Sequence, residues 1–564
     1  MKRVILFVSM MFVVFALHQP QRGTADIRQE TGFIVVAPDR GYLGNEEVRD
    51  VFNDFQSEYV STLTFVGLGI RNEKEEIQNP LKSALEEIKA RNVKRIIVVP
   101  LFVSSSDPVF KKAVAALGKD VNDLEFSHHM SESYLISQIL YDRVNELSKN
   151  SNNERLIVVG FGYTNEEEHN GIRDGLNKLL KYVNERKKFR ETKVVVFPDW
   201  NSGEKLQEQG YKEALNEIVA TAAKGNKTIV VPFFLSWLKA DHHMSTWNSL
   251  CNSLNEHGLT CQKKELLPHQ NVALWLKKTA NSYINVPRNE IGVIIMPHGS
   301  RYFVNEIIRK GIEPLKERYN VEIAWGMADE KIIQEKVSKL EERGVKKIVL
   351  LRLFTMSKSL KEKTEYILGL NESEYMARYC SPVRSCSTFI TTGGFDDHSL
   401  IAEAYMDRAI EISKDPSTET VLLLAHGASD EEDNNNWLNL LRSLADKINK
   451  MTRERHKVTF KAIKVATIRE DWPEKRDNAL KEIKEIINAG NRDGHTLIIP
   501  ARVAGVGPYR KYLDGLEYVM NPNGALPHPS ATMWMEEMIE AAIKEMTMLG
   551  VKLSRTQIFA DTHR

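Results

Sequence analysis

Four short apolar runs recur along the chain, at 33–37 (FIVVA), 156–160 (LIVVG), 292–296 (GVIIM) and 421–425 (VLLLA). Each is followed by a polar loop containing glycine and then by a stretch with helical periodicity. A second set of apolar runs follows further on: RIIVVPLFV (95–103), TIVVPFFLS (228–236), KIVLLRLFT (347–355) and TLIIPARVA (496–504). Short apolar runs that alternate with helical patterns predict βαβ units and a parallel sheet buried on both faces. A third landmark closes each block. LLPHQNVALW (266–275) matches ALPHPSATMW (525–534), EFSHHMSESY (125–134) fits the same frame, and FDDHSLIAEA (395–404) fits more loosely. His128, His269, His398 and His528 therefore share one place before the last helix of each block, where anchoring that helix is the preferred reading over binding metal.

The blocks also pair as odd and even. GLGIRNE (67–73) resembles AWGMADE (324–330), and PDW (198–200) resembles EDW (470–472). The prediction is an α/β fold: four tandem three-layer α/β/α domains with parallel sheets, arranged as two pseudo-symmetric pairs. The boundaries fall at 31–150, 154–288, 289–416 and 418–550, with turn-rich linkers KNSNNE (149–154), NVPRNE (285–290) and KDPST (414–418) between them. A monomer of internal pseudo-dimers is expected.

The 564 residues carry 77 Lys and Arg against 76 Asp and Glu, so no overall electrostatic case exists for nucleic acid. Lys2 and Arg3 precede an apolar run, 4–17, that suits a signal-peptide core and is short of the roughly 20 residues of a membrane span. Cleavage after Ala16 or Ala25 is expected, with an uncleaved anchor as the alternative. Residues 1–25 are assigned as a signal peptide, the compartment as periplasmic or extracellular, and no stable membrane span is expected after cleavage. The cysteines fall in two close pairs, Cys251/Cys261 and Cys380/Cys386. An exported chain can form two local disulfides from them, and four buried thiols are the other reading.

Ligands of open α/β sheets bind at the carboxyl ends of strands. Block three places Pro297-His298-Gly299-Ser300 there, and block four places His426-Gly427-Ala428-Ser429. Neutral imidazole is a ligand for divalent metals and a proton acceptor near neutral pH. Asp199 and Asp471, each before a Trp, either line the same cleft or cap the next helix. Asp430, Glu431, Glu432 and Asp433, like Glu166, Glu167 and Glu168, read as solvated helix starts favoured by the helix dipole. Trp237, Trp247, Trp275, Trp472 and Trp534 either pack on a flat ligand or, more commonly for such residues, fill the core. No glycine-rich phosphate loop, G-x-S-x-G elbow or H-E-x-x-H motif occurs, which disfavours flavodoxin-like redox and hydrolase roles.

The strand-His-Gly loops, the V-V-P-L-F strand and the late P-H together resemble the sirohydrochlorin cobaltochelatase family, a branch of the class II tetrapyrrole metal chelatases. The resemblance covers most of 31–550 as four chelatase-like (flavodoxin/chelatase-like) blocks. It implies insertion of Co2+ or Fe2+, or Ni2+ in some relatives, into a tetrapyrrole, as in cobalamin and siroheme synthesis, with no organic cofactor. By this matching His298 and His426 take the catalytic and metal-binding role of the family's first histidine. Blocks one and two are degenerate, with Pro38-Asp39-Arg40-Gly41 and Gly160-Phe161-Gly162 in its place. The family's second histidine is matched only near block two, by His242 and His243, which are the further metal candidates for a composite site. The alternative function is a non-catalytic periplasmic carrier of metal or tetrapyrrole.

Overall fold

Each block builds one four-stranded parallel sheet with the same strand order. In block one β1 (Thr31–Pro38), β2 (Ser61–Val66), β3 (Arg95–Pro100) and β4 (Glu125–Phe126) lie in the order β2-β1-β3-β4. Block two repeats it with β5 (Glu154–Tyr163), β6 (Glu191–Pro198), β7 (Lys227–Pro232) and β8 (Thr260–Cys261). Block three uses β9 (Ile291–Pro297), β10 (Asn320–Ile323), β11 (Lys347–Leu353) and β12 (Thr388–Gly393), and block four β13 (Thr420–Ala425), β14 (Ala462–Thr467), β15 (Thr496–Pro500) and β16 (Val519–Met520). The computed structural model describes residues 30–67, 80–199, 202–235, 245–492 and 494–552. The expected signal peptide, Trp237, His242 and His243 lie outside the described residues.

The alternation of side chains along each first strand explains why the blocks pair. Phe33, Val35 and Ala37 of β1 point into a core shared with Leu156 and Val158 of β5, whereas Ile34 and Val36 point into a core private to block one. Likewise Val293 and Ile295 of β9 share a core with Val421, Leu423 and Ala425 of β13, while Leu422 and Leu424 face a core private to block four. A strand buried on both faces needs an apolar residue at every position, which is why these runs do not alternate in sequence. Two pseudo-symmetric pairs result, each held by one shared core.

The polar contacts across each pair repeat as well. Arg143 donates to the carbonyls of Glu265 and Pro268, and Arg408 donates to those of Gly524 and Pro527. His269 faces Asp142 at 3.2 Å, and His528 faces Asp407 at 3.3 Å. His269, His398 and His528 each accept a backbone amide at the start of the following helix, from Asn271, Leu400 and Ser530. These late histidines are helix anchors. His128 instead pairs with Glu132 at 2.5 Å.

The two pairs meet along a polar seam. Gln138 donates to the carbonyl of Pro382 at 2.7 Å, Arg384 pairs with Asp142 at 2.6 Å, and Lys346 pairs with Glu58. Burial pushes the Asp142 carboxyl up, but hydrogen bonds from His269 and Arg384 outweigh it and hold the group below its ordinary value. Glu58 is lowered in the same way, with burial overridden by Lys277 and Lys346. Carboxylates with a depressed folded pKa stabilise fully above the unfolded value, about 4, and that contribution is lost as pH falls through the folded value. The thermal midpoint is therefore expected to fall as pH drops below about 4. Arg384→Gln should flatten that fall by returning Asp142 toward its unfolded pKa. Calorimetry across this range checks it, and an equally steep profile for the variant would count against the seam.

Cys251 and Cys261 are disulfide-bonded, whereas Cys380 and Cys386 are free thiols. The first sequence pair is thus a local disulfide and the second is not. Among the described residues no helix is long and apolar enough to cross a membrane.

Candidate metal site

The sheet order places β13 beside β14 with Ala425 opposite Thr467, so the loops after these two strands leave the sheet side by side. His426 is the first residue of one loop, and Glu470 and Asp471 belong to the other. The geometry of the first loop is set by Gly427, at φ +82°. A Cβ there would sit 2.7 Å from Thr467 Cβ and 2.8 Å from Asn434 Oδ1, so the turn needs glycine for both its conformation and its space. Asn434 Oδ1 accepts the Ala428 amide at 3.3 Å and the Thr467 hydroxyl at 2.9 Å. Arg469 staples the loops together: its amide donates to the His426 carbonyl at 2.7 Å, and its guanidinium donates to the carbonyls of Ala428 and Ser429 and to Glu431. The acidic helix start is thereby accounted for. Glu431 is engaged by Arg469 and Lys475, and Asp430 caps its helix by accepting the Asp433 amide.

His426 Nδ1 lies 2.8 Å from the Gly427 carbonyl oxygen, which only accepts, so Nδ1 carries a hydrogen. The other ring nitrogen, Nε2, lies 3.0 Å from Asp471 Oδ2 and 3.4 Å from Glu470 Oε1. A neutral imidazole in this tautomer presents a lone pair to two carboxylates, which also only accept. Three acceptors converge, and the arrangement is satisfied by a proton on Nε2 or by a cation between them. Donation of the second ring N–H to a backbone carbonyl is also how metal-binding histidines are oriented. One ligand atom from each of His426, Glu470 and Asp471 lies within 4.8 Å of the others, and among the described residues no other group of three His, Cys, Asp or Glu does so. Trp472 stands edge-on to the imidazole, ring centroids 5.6 Å apart, and walls one side. Asp471 thus faces His426 and leaves the helix start to Trp472.

Glu470 is the candidate site residue that sequence reasoning missed. Its side chain is only 12% exposed, and its Oε2 is held by Arg502 at 2.9 Å. The EDW motif was the available signal, read there only at its aspartate.

His298 occupies the matching place at the end of β9 and makes the matching contact, Nδ1 to the Gly299 carbonyl at 2.8 Å. Its surroundings differ. The side chain is exposed, and the acid in the adjacent loop, Asp329, instead caps a helix by accepting the amides of Lys331 and Ile332. The structure therefore does not bring His298 and His426 into one described cluster. In blocks one and two the corresponding edge carries Arg40, packed over the Phe161 ring at 5.3 Å, and Asp107, whose fully buried carboxyl is pushed up to about 6 by burial. Of the tryptophans, Trp247, Trp275 and Trp534 are core, and Trp472 is at the site. A cavity of about 660 Å³ lined by Tyr134, Tyr182 and Tyr366 lies at the seam between the pairs and does not include His426.

No protein-family model matches the chain, and no curated protein matches it. Among solved structures, SirB from Bacillus subtilis with Fe3+ is similar over 44% of this chain and 96% of its own, at 15% identity and a TM-score of 0.32. The sirohydrochlorin chelatase SirB from Bacillus subtilis subspecies spizizenii in complex with cobalt is similar over 45% of this chain and 96% of its own, at 15% identity and a TM-score of 0.31.

The fourth block is flanked on its carboxyl edge by the third. Lys358 pairs with Asp433 on the helix that follows the His426 loop, and Val304 lies 3.5 Å from the Cβ position of Gly505 in the loop after β15. Next to Val304 stand two exposed rings, Tyr302 at 80% and Phe303 at 72%. Exposed aromatic rings thus stand beside Val304, where block three meets block four.

Proposed function

We propose that the chain is an exported chelatase-like protein. It captures a divalent metal, Co2+ or Fe2+, at His426, Glu470 and Asp471 and delivers it to a tetrapyrrole held between blocks three and four. The observation that carries this reading is the convergence of Nε2 and two carboxylate oxygens within 4.8 Å of one another. A mixed nitrogen and oxygen set of this kind suits divalent first-row metals. Carboxylates beside the imidazole can also take the protons that a pyrrole nitrogen gives up on metallation. The exposed rings of Tyr302 and Phe303 offer apolar surface to a flat macrocycle. Export is supported by the apolar segment 4–17 and by the Cys251–Cys261 disulfide, which an oxidising compartment permits.

One observation favours the carrier reading as the second choice: the described residues supply a single histidine to the site. An anaerobic absorbance assay with sirohydrochlorin and Co2+ separates the two. Loss of the free-macrocycle spectrum over many equivalents is the expected result and establishes a chelatase. A shift that stops at one equivalent establishes a carrier, and no change with Co2+ or Fe2+ removes both.

A further inference from the structure

The residue two positions beyond the strand-end Pro100 is Phe102, and the matching places hold Phe234, Phe354 and Arg502. Strand registers confirm the equivalence. Val36 stands opposite Pro100, Val159 opposite Pro232, Met296 opposite Arg352 and Leu424 opposite Pro500. Three blocks bury a phenylalanine there, at 2%, 6% and 9% exposure. Block four, which alone among the described residues assembles a metal-capable cluster, has an arginine. A guanidinium in a largely buried place is costly unless it is paired, so its presence in one repeat out of four asks for a local reason.

That reason lies in its contacts. Arg502 donates to Glu470 Oε2 at 2.9 Å and lies over the Tyr509 ring at 5.2 Å. Gly507 makes room for it, since a Cβ there would sit 2.6 Å from the Arg502 Nη1 atom. The backbone carbonyl of Glu470 is held separately by Arg476 at 2.8 Å. Two consequences follow for a cation at His426. With Oε2 occupied by Arg502, Glu470 has only Oε1 free to bind, as a single donor. The fixed positive charge also cancels one of the two carboxylate charges that attract the ion.

We infer that Arg502 is a positioning residue that keeps this metal site weak and monodentate, so that the ion it takes up is readily given away. The inference rests on the reading of His426, Glu470 and Asp471 as the metal site. A resident structural metal would be served better by the phenylalanine of the other blocks, which would free both Glu470 oxygens. A metal that is cargo must leave, and a charge held beside the site lowers the barrier to departure at the expense of affinity.

The test is a Co2+ titration of the full chain, followed by the visible ligand-field absorption of Co2+, with release measured by chelator challenge. Arg502→Gln removes the charge, and its shorter side chain withdraws the donor from Glu470 Oε2. It should bind Co2+ on the order of tenfold more tightly, release it correspondingly more slowly, and show an altered ligand-field band as Glu470 gains a second bond. Arg502→Lys keeps the charge and should stay within about threefold of the parent. Unchanged or weaker binding by a folded Arg502→Gln, or equal behaviour of the two variants, overturns the inference. Should His426→Ala bind Co2+ as the parent does, the site reading itself falls, whatever the Arg502 variants do.

Discussion

Replacing His426 with alanine should weaken Co2+ binding by at least about 100-fold, equivalent to about 2.8 kcal/mol, and abolish turnover. His426 supplies the only nitrogen of the described cluster, and both carboxylates converge on its Nε2. Without the imidazole, two acids remain, one exposed and one tied to Arg502. The fold should survive, because the loop is held by Asn434, Arg469 and Gly427 rather than by the imidazole. His298→Ala is the internal control. It removes a histidine from the matching strand end and should leave Co2+ affinity within about twofold, since no carboxylate pair faces that residue among the described contacts. Isothermal titration of the two variants beside the parent decides it. Equal losses in both would mean that the two strand ends act together.

The second large effect is on stability. Trp534 is fully buried, lies in the core shared by blocks three and four, and stands edge-on to Phe395 of block three with ring centroids 4.7 Å apart. Trp534→Ala removes this ring from the contact between two blocks and should cost about 3–5 kcal/mol. Because the core is shared, both blocks of the C-terminal pair should lose stability together. Denaturant unfolding monitored by circular dichroism measures this. A loss under about 1 kcal/mol would mean that the pair is not built on a common core.

The strands were legible because they are buried on both faces, so their apolar runs stand out without any alternation to decode. The pairing of blocks was legible from GLGIRNE against AWGMADE and PDW against EDW, and the structure gives the repeated L-P-H frame a physical role. Arg143 and Arg408 reach across each pair to hold it, and the late histidines cap the helices behind it. The candidate metal cluster was only half legible. His426 was visible as a histidine before glycine at a strand end, but Glu470 is more than forty positions away and meets it only because β14 lies beside β13. The sequence also treats His298 and His426 as equals. Their difference lies in loop geometry: Asp329 is used as a helix cap in block three, whereas Trp472 takes the helix start in block four and releases Asp471 toward the imidazole. Arg502 read as one more residue of an apolar run until its partner, Glu470, was in view.

The most direct test of the metal site is a crystal structure of the Co2+-loaded protein with anomalous scattering at the cobalt edge. One strong peak is expected, bonded to His426 Nε2, with oxygen donors from Glu470 and Asp471 and none at His298. Cobalt elsewhere, or no peak at His426 in a protein that binds cobalt in solution, would contradict it.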